Sequence, residues 1–217
     1  MSYDVILAEG RAMHAHPSIE PARTALLVID MQNAFALPSS PFGKEAVRAL
    51  VEPINALAGT VRGAGGHVVW TRHAYTDEGP QAMQPWQVDG PVFAMLAERL
   101  RPGLPDYQLV DEMDVHGADD VIDKYRYSAL GRHSSGLEDI LVQRGITTVI
   151  VVGCASNTCC ESTARDAYAL GYRVFAPEDG NACASEAERR SAILNMSRVC
   201  ADIRPIADLT ALIAAAA

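Results

Sequence analysis

Residues 147–172 read TTVIVVGCASNTCCESTARDAYALGY, and this stretch decides the fold. From Thr147 to Val152 every residue is β-branched with no polar alternation, so it reads as a strand covered on both faces. A helix is expected to begin near 156–158, because Glu161, Thr163, Ala164, Ala167 and Tyr168 continue at helical spacing until Gly171. Strand followed by helix is one βα unit, and the same alternation recurs outward in both directions. Further strands are expected at 25–30, 67–71, 120–124, 172–176 and 201–206. Between the first two, Val47, Leu50, Val51, Ile54, Leu57 and Val61 predict a helix that Pro53 kinks or restarts. Ser135 with Glu138, and Ser185 with Glu188, read as capping boxes, and Gly145 as a helix stop. Segment 74–114, rich in Gly and Pro around a short helix near 92–100, reads as an irregular excursion over the strand ends. The fold class is therefore α/β, a mainly parallel sheet flanked by helices.

At 217 residues and 49% hydrophobic content, the chain (1–217) is read as one domain. A formal net charge of -9 argues against nucleic acid and anionic membrane as partners and points to a small molecule. The N-terminus lacks a basic region followed by an apolar run, so a cytoplasmic location is expected. The five cysteines, Cys154, Cys159, Cys160, Cys183 and Cys200, are odd in number and form no CxxC pair, which predicts reduced thiols and no zinc site.

In an open parallel sheet, ligands bind beyond the carboxyl ends of the strands. Asp30 closes ALLVID, Lys124 closes DDVIDK, and Cys159 falls in the first turn of the helix after 147–153. Alone, Asp30 reads equally as a turn residue, Lys124 as solvated surface, and Cys159 and Cys160 as small apolar fillers. Together at neighbouring strand ends they read as a site. A helix start would favour thiolate at Cys159, and its amides would stabilise an oxyanion.

GCASNTCCESTARDAYALGY (153–172) resembles the G-x-A-T-N-x-C-V-E-S-T-A-R-D-A signature of isochorismatase-like cysteine hydrolases. DMQNAF resembles their D-x-Q-N-x-F and DKYRYSAL their K-x-R-Y-S-x-F, in the family's order, over roughly 24–182. The resemblance implies a three-layer α/β/α fold with a six-stranded, mostly parallel, Rossmann-like sheet, assembled as a homodimer or homotetramer. It also implies a catalytic triad of Asp30, Lys124 and Cys159, and a cis peptide between Cys154 and Ala155 that turns the Ala155 amide toward that of Cys159 as an oxyanion hole. Cys160 takes the usual Val position. The implied reaction is cleavage of a small amide, carbamoyl or ureide C–N bond through an acyl-thioenzyme: Asp30 takes the thiol proton, the sulfur adds to the carbonyl, and the same proton leaves with the amine.

Three departures stand out. Ser156 replaces Thr, Leu130 replaces Phe and is expected to widen the pocket, and the family's metal-holding Asp-x-His set has no counterpart in NAFALPSSPFG. No metal or other cofactor is expected. Phe35, Tyr127 and Asn157, with Arg72, His73 and Trp86, are nominated for substrate binding; each also has a plain role as core, cap or surface ion-pair residue. His133, Cys183 and Cys200 are read as structural. Two rival functions remain: a vinyl-ether hydrolase of isochorismatase type, against which Cys159 argues, and a non-catalytic binding or scaffold subunit.

Overall fold

The structure is a computed structural model that describes residues 2–37, 40 and 44–216. Its elements run α1 (Tyr3–His14), β1 (Thr24–Ile29), α2 (Asn33–Ala36), α3 (Lys44–Arg48), α4 (Val51–Gly63), β2 (His67–His73), α5 (Pro91–Arg99), β3 (Asp120–Lys124), α6 (Leu137–Gln143), β4 (Thr148–Cys154), α7 (Glu161–Ala169), β5 (Arg173–Phe175), β6 (Asn181–Ala182), α8 (Glu186–Val199) and α9 (Ile206–Ala214). The six strands form one sheet in the order β3-β2-β1-β4-β5, with β6 paired to β4, and every strand pair is parallel.

Side chains alternate across the central strand. Leu26 and Val28 of β1 pack with Ile54 and Leu57 of α4 and Leu209 of α9. Ala25, Leu27 and Ile29 pack on the other face with Leu141 of α6, Ala164 of α7 and Met196 of α8. Both faces are covered, which is why β1 and β4 are apolar at nearly every position instead of at every second one. The result is the expected three-layer α/β/α sandwich. No helix among the described residues is long and apolar enough to cross a membrane.

Several elements differ from the sequence reading. Segment 201–206 is not a strand: Asp202 makes one bridge to Phe175, and the backbone bonds Ala176 N to Asp202 O and Asp202 N to Val174 O at 3.1 and 2.9 Å. Pro205, lacking an amide, then stands before α9 and stops the ladder. The sixth strand is β6, two residues that return beside the end of β4, with Gly153 N bonded to Gly180 O at 2.9 Å. The second difference is α1, which packs on α8 where Gly10 lies against Ser197: a Cβ on Gly10 would stand 2.4 Å from the Ser197 hydroxyl. The break expected at Pro53 lies three to four residues earlier, at 49–50, and Pro53 sits in the first turn of α4, where its missing amide costs no helical bond.

Candidate active site

The strand order places the ends of β3, β2, β1 and β4 side by side, and each end supplies one polar side chain. Lys124 closes β3, His73 closes β2, Asp30 follows β1, and Cys159 lies just beyond β4. All four side chains are buried.

Lys124 Nζ is the hub. It lies 2.7 Å from Asp30 Oδ2 and 2.9 Å from His73 Nδ1, and donates to Arg126 O at 3.0 Å and to Cys159 Sγ at 3.3 Å. Since an ammonium only donates, His73 Nδ1 must accept, which puts the imidazole hydrogen on Nε2. Burial first, then the charges of Lys124 and Arg126, hold the His73 pKa well below 6.5, so the ring is neutral. Asp30 Oδ1 accepts from Thr71 Oγ1 at 2.7 Å, and Thr71 Oγ1 in turn accepts the Asp30 amide at 3.2 Å. Asp30 is left-handed, with φ of 51°, a conformation Asp tolerates better than most residues; the chain turns off the sheet there, Gln32 N bonding back to Asp30 O at 2.7 Å. Fully buried Gln32 then clasps His73 through both main-chain groups, accepting from its amide at 2.8 Å and donating to its carbonyl at 3.1 Å.

Cys159 lies in a single π turn, Ser156–Cys160, that precedes α7. The peptide between Cys154 and Ala155 is cis. Burial pushes the Cys159 thiol up to about 12; Lys124 opposes this and Asp30 adds to it. Burial of the sulfur thus outweighs the Lys124 charge beside it and favours the thiol, against the expectation of a thiolate at a helix start. Burial likewise opposes charge on Lys124, but Asp30 and Cys159 more than restore it, and its pKa is raised.

The Asp30, His73 and Cys159 donor atoms lie within 4.8 Å of one another, a set that could hold a metal. The Lys124 ammonium is within hydrogen-bonding distance of all three, however, so the cation position among them is taken by a side chain. Residues 38–39 and 41–43 of NAFALPSSPFG lie outside the described residues.

Above the strand ends is a cavity of about 350 Å³ whose wall includes Cys159, Ala155, His73, Phe35 and Tyr127. Three larger grooves among the described residues contain none of Asp30, Lys124 and Cys159. Three nominated residues are not on the cavity wall. Arg72 pairs with Asp123 at 2.9 Å and stacks on the Tyr107 ring; Asn157 is exposed and accepts from Cys183 Sγ at 3.0 Å; Trp86 is 74% exposed in the neighbouring groove. Leu130 is partly buried against the core cluster and is not on the cavity wall, so the expected widening there does not arise. The sequence reading missed Tyr75, Phe93 and Leu96 on the wall, and Gln32 and Thr71 behind it. Gln32 lies in DMQNAF, past the end of β1, and nothing local ties it to His73.

The Isochorismatase domain family model matches residues 24–208. The chain belongs to the isochorismatase-like hydrolase family. Among its relatives, the ureidoacrylate amidohydrolase RutB of Klebsiella pneumoniae subsp. pneumoniae is 34% identical over 195 residues, covering 82% of this chain and 80% of that protein. The cysteine hydrolase structure from Pseudomonas syringae pv. phaseolicola 1448A superposes with a TM-score of 0.82 at 27% identity, covering 93% of this chain and 97% of that one. The N-carbamoylsarcosine amidase of Thermoplasma acidophilum shares the fold, with a TM-score of 0.67 at 23% identity over 85% of this chain and 96% of that one. Like other isochorismatase-like hydrolases, this chain is an enzyme.

Proposed function

We propose that this isochorismatase-like hydrolase is a cysteine-dependent amidohydrolase that cleaves the C–N bond of a small amide, carbamoyl or ureide substrate through an acyl-thioenzyme. The observation that carries the reading is Lys124 Nζ lying at once 2.7 Å from Asp30 Oδ2 and 3.3 Å from Cys159 Sγ, the sulfur itself on the wall of a cavity. A buried thiol with a pKa of about 12 cannot attack unaided. Asp30 accepts its proton as the C–S bond forms, so charge moves from sulfur to the carbonyl oxygen and the carboxylate becomes an acid. Ala155 and Cys159, which both line the cavity and flank the cis peptide and the π turn, supply the two amides for the oxyanion. Asp30 then gives the proton to the departing amine, and afterwards takes one from the water that releases the acid. Lys124 holds Asp30 in place and offsets negative charge on either partner.

The reading takes 1–217 as one catalytic unit, assembled as a homodimer or homotetramer, and places it in the cytoplasm, where the five free cysteines suit a reducing medium. The relatives named as amidohydrolases support the bond class. Ammonia release is measured over a panel of primary amides, carbamoyl amino acids and ureides, with Cys159→Ser as control. Cys159-dependent release from at least one class is expected; equal release by the control refutes the reading.

A further inference from the structure

We propose that His73 determines which substrates the site accepts: its Nε2–H binds a second oxygen of the substrate, a carbonyl or carboxylate oxygen a few bonds beyond the scissile carbonyl. The proposal rests on the cysteine amidohydrolase reading and adds the group that the substrate must present.

The two nitrogens of the His73 ring have separate duties. Nδ1 lies 2.9 Å from Lys124 Nζ, and because an ammonium only donates, Nδ1 accepts and the ring hydrogen stays on Nε2. A ring flip would put a carbon in place of Nδ1 and cost Lys124 a partner. The main chain beneath is held as well, with Gln32 bonded to the His73 amide at 2.8 Å and to its carbonyl at 3.1 Å. His73 is on the cavity wall, and with Nδ1 turned to Lys124 the edge left for the cavity carries Nε2. That nitrogen is buried and, among the described residues, has no hydrogen-bond partner. A buried donor left unpaired is costly, and a ligand that brings an acceptor removes the cost.

An N–H demands an acceptor, which makes His73 more selective than its polar neighbours. Tyr75, Tyr127 and Thr158 bring hydroxyls to the same wall, and the two tyrosine rings stand 5.0 and 6.4 Å from the His73 ring, centroid to centroid. A hydroxyl turns to donate or to accept, so these three adapt to whatever the N–H selects. Neutral donors converging on one oxygen suit a carbonyl, and they suit a carboxylate as well, since hydrogen bonds to an anion are the stronger kind. An alkyl group in that place leaves the N–H unpaired. Distance then sets where the oxygen stands. A ring nitrogen of His73 lies within 4.8 Å of Cys159 Sγ. With the scissile carbon at the sulfur, a chain of a few bonds therefore carries a second oxygen to His73, and a cavity of about 350 Å³ has room for it. An acceptor on Nε2–H also makes Nδ1 a better acceptor, so a correctly bound substrate tightens the hold on Lys124.

The test uses compounds of one shape that differ in that oxygen. Succinamate, levulinamide and isocaproamide carry a carboxylate, a ketone or an isopropyl group at the same place; N-carbamoylglycine, acetonylurea and isobutylurea repeat the set on a urea. Ammonia release gives kcat and KM. Protection of Cys159 from iodoacetamide gives a binding constant for each compound whether or not it is hydrolysed; in the labelling step the sulfur displaces iodide and the thiol proton passes to solvent. The wild type is expected to favour at least one oxygen-bearing member over its isopropyl partner by about thirtyfold or more, in KM or in the binding constant. Levulinamide in the lead assigns a neutral carbonyl, succinamate in the lead a carboxylate. His73→Asn keeps an oxygen to accept from Lys124 but has no donor at the Nε2 position, and should shrink the preference to about threefold or less. His73→Gln carries an amide N–H to that position and should recover most of it. An equal fall in kcat on all members in His73→Asn, with the preference intact, marks a structural role and overturns the proposal. So does a wild type that binds the isopropyl members as tightly as the others; both results leave the cysteine mechanism standing. Iodoacetamide that labels the five cysteines alike, with no amide hydrolysed, overturns the cysteine reading itself.

Discussion

Cys159 and Cys160 are neighbours in the chain with different surroundings. The first lines the cavity 3.3 Å from Lys124 Nζ; the second is fully buried in the core beneath it. Cys159→Ser is therefore expected to lower kcat/KM by about a thousandfold or more, whereas Cys160→Val, a swap of similar volume, should keep it within about threefold. Steady-state kinetics on any accepted amide decides between them. Lys124→Met should slow acylation by about a hundredfold and, by leaving Asp30 buried without its partner, destabilise the fold by about 3–5 kcal/mol. Adding Asp30→Asn should restore the melting temperature but not the rate, which separates charge balance from chemistry. In quenched wild-type enzyme, the acyl mass should appear on Cys159 and not on Lys124. That Asp30, Lys124 and Cys159 meet was legible in the sequence because each closes or follows a strand of a parallel sheet, whose carboxyl ends share one edge. Gln32 and Thr71 were not, since their roles arise only from bonds between β1 and β2 across 41 residues of chain. Arg72 and Trp86 misled because closeness in sequence says nothing about which way a side chain points.

At the end of β4, Gly153 has φ of 117°, and a Cβ there would stand 2.1 Å from Ile29 O of the adjoining strand. Gly153→Ala should cost about 3–5 kcal/mol in denaturant melts, since both the conformation and the space forbid it. Gly59→Ala is the contrasting case: it is exposed in α4 with nothing within 4 Å of the added carbon, and should stabilise by about 0.5–1 kcal/mol. If both variants melt alike, steric closeness at β4 is not what fixes that glycine. Strands β1 and β4 were legible because a run of branched apolar residues with both faces covered leaves few other readings, and the remaining three by their branched apolar residues at the same βα spacing. Strand β6 was not, being two residues held only by the last two of β4. The 201–206 run carried the right composition but meets Pro205, and composition does not say whether a neighbouring edge is long enough to extend. Helix α1 is set by its fit against α8 at Gly10, which no local pattern announces.

Stability of the whole molecule should depend on pH through groups buried in the wrong charge state. The His73 pKa is well below 6.5 in the fold and rises to its ordinary value on unfolding, so below pH 6.5 the unfolded chain binds a proton that the folded one refuses. Stability should then fall with acidification by up to about 1.4 kcal/mol per pH unit from this residue; melts between about pH 5 and 7 check the slope, and His73→Asn should flatten it. At the other extreme, Cys159 keeps its proton up to about 12 when folded but loses it near 9.0 when unfolded, so stability should also decline above pH 9.0. The spatial order β3-β2-β1-β4 has one more consequence, for the timetable of synthesis. Read from the N-terminus, Asp30 is made first, then His73, then Lys124, and Cys159 last. The Lys124–Asp30 ion pair is complete in sequence 35 residues before Cys159 is added. On the proposed mechanism, the docking of β4 on β1 brings the sulfur to that pair, so a product truncated before residue 159 keeps the ion-pair residues and lacks the nucleophile.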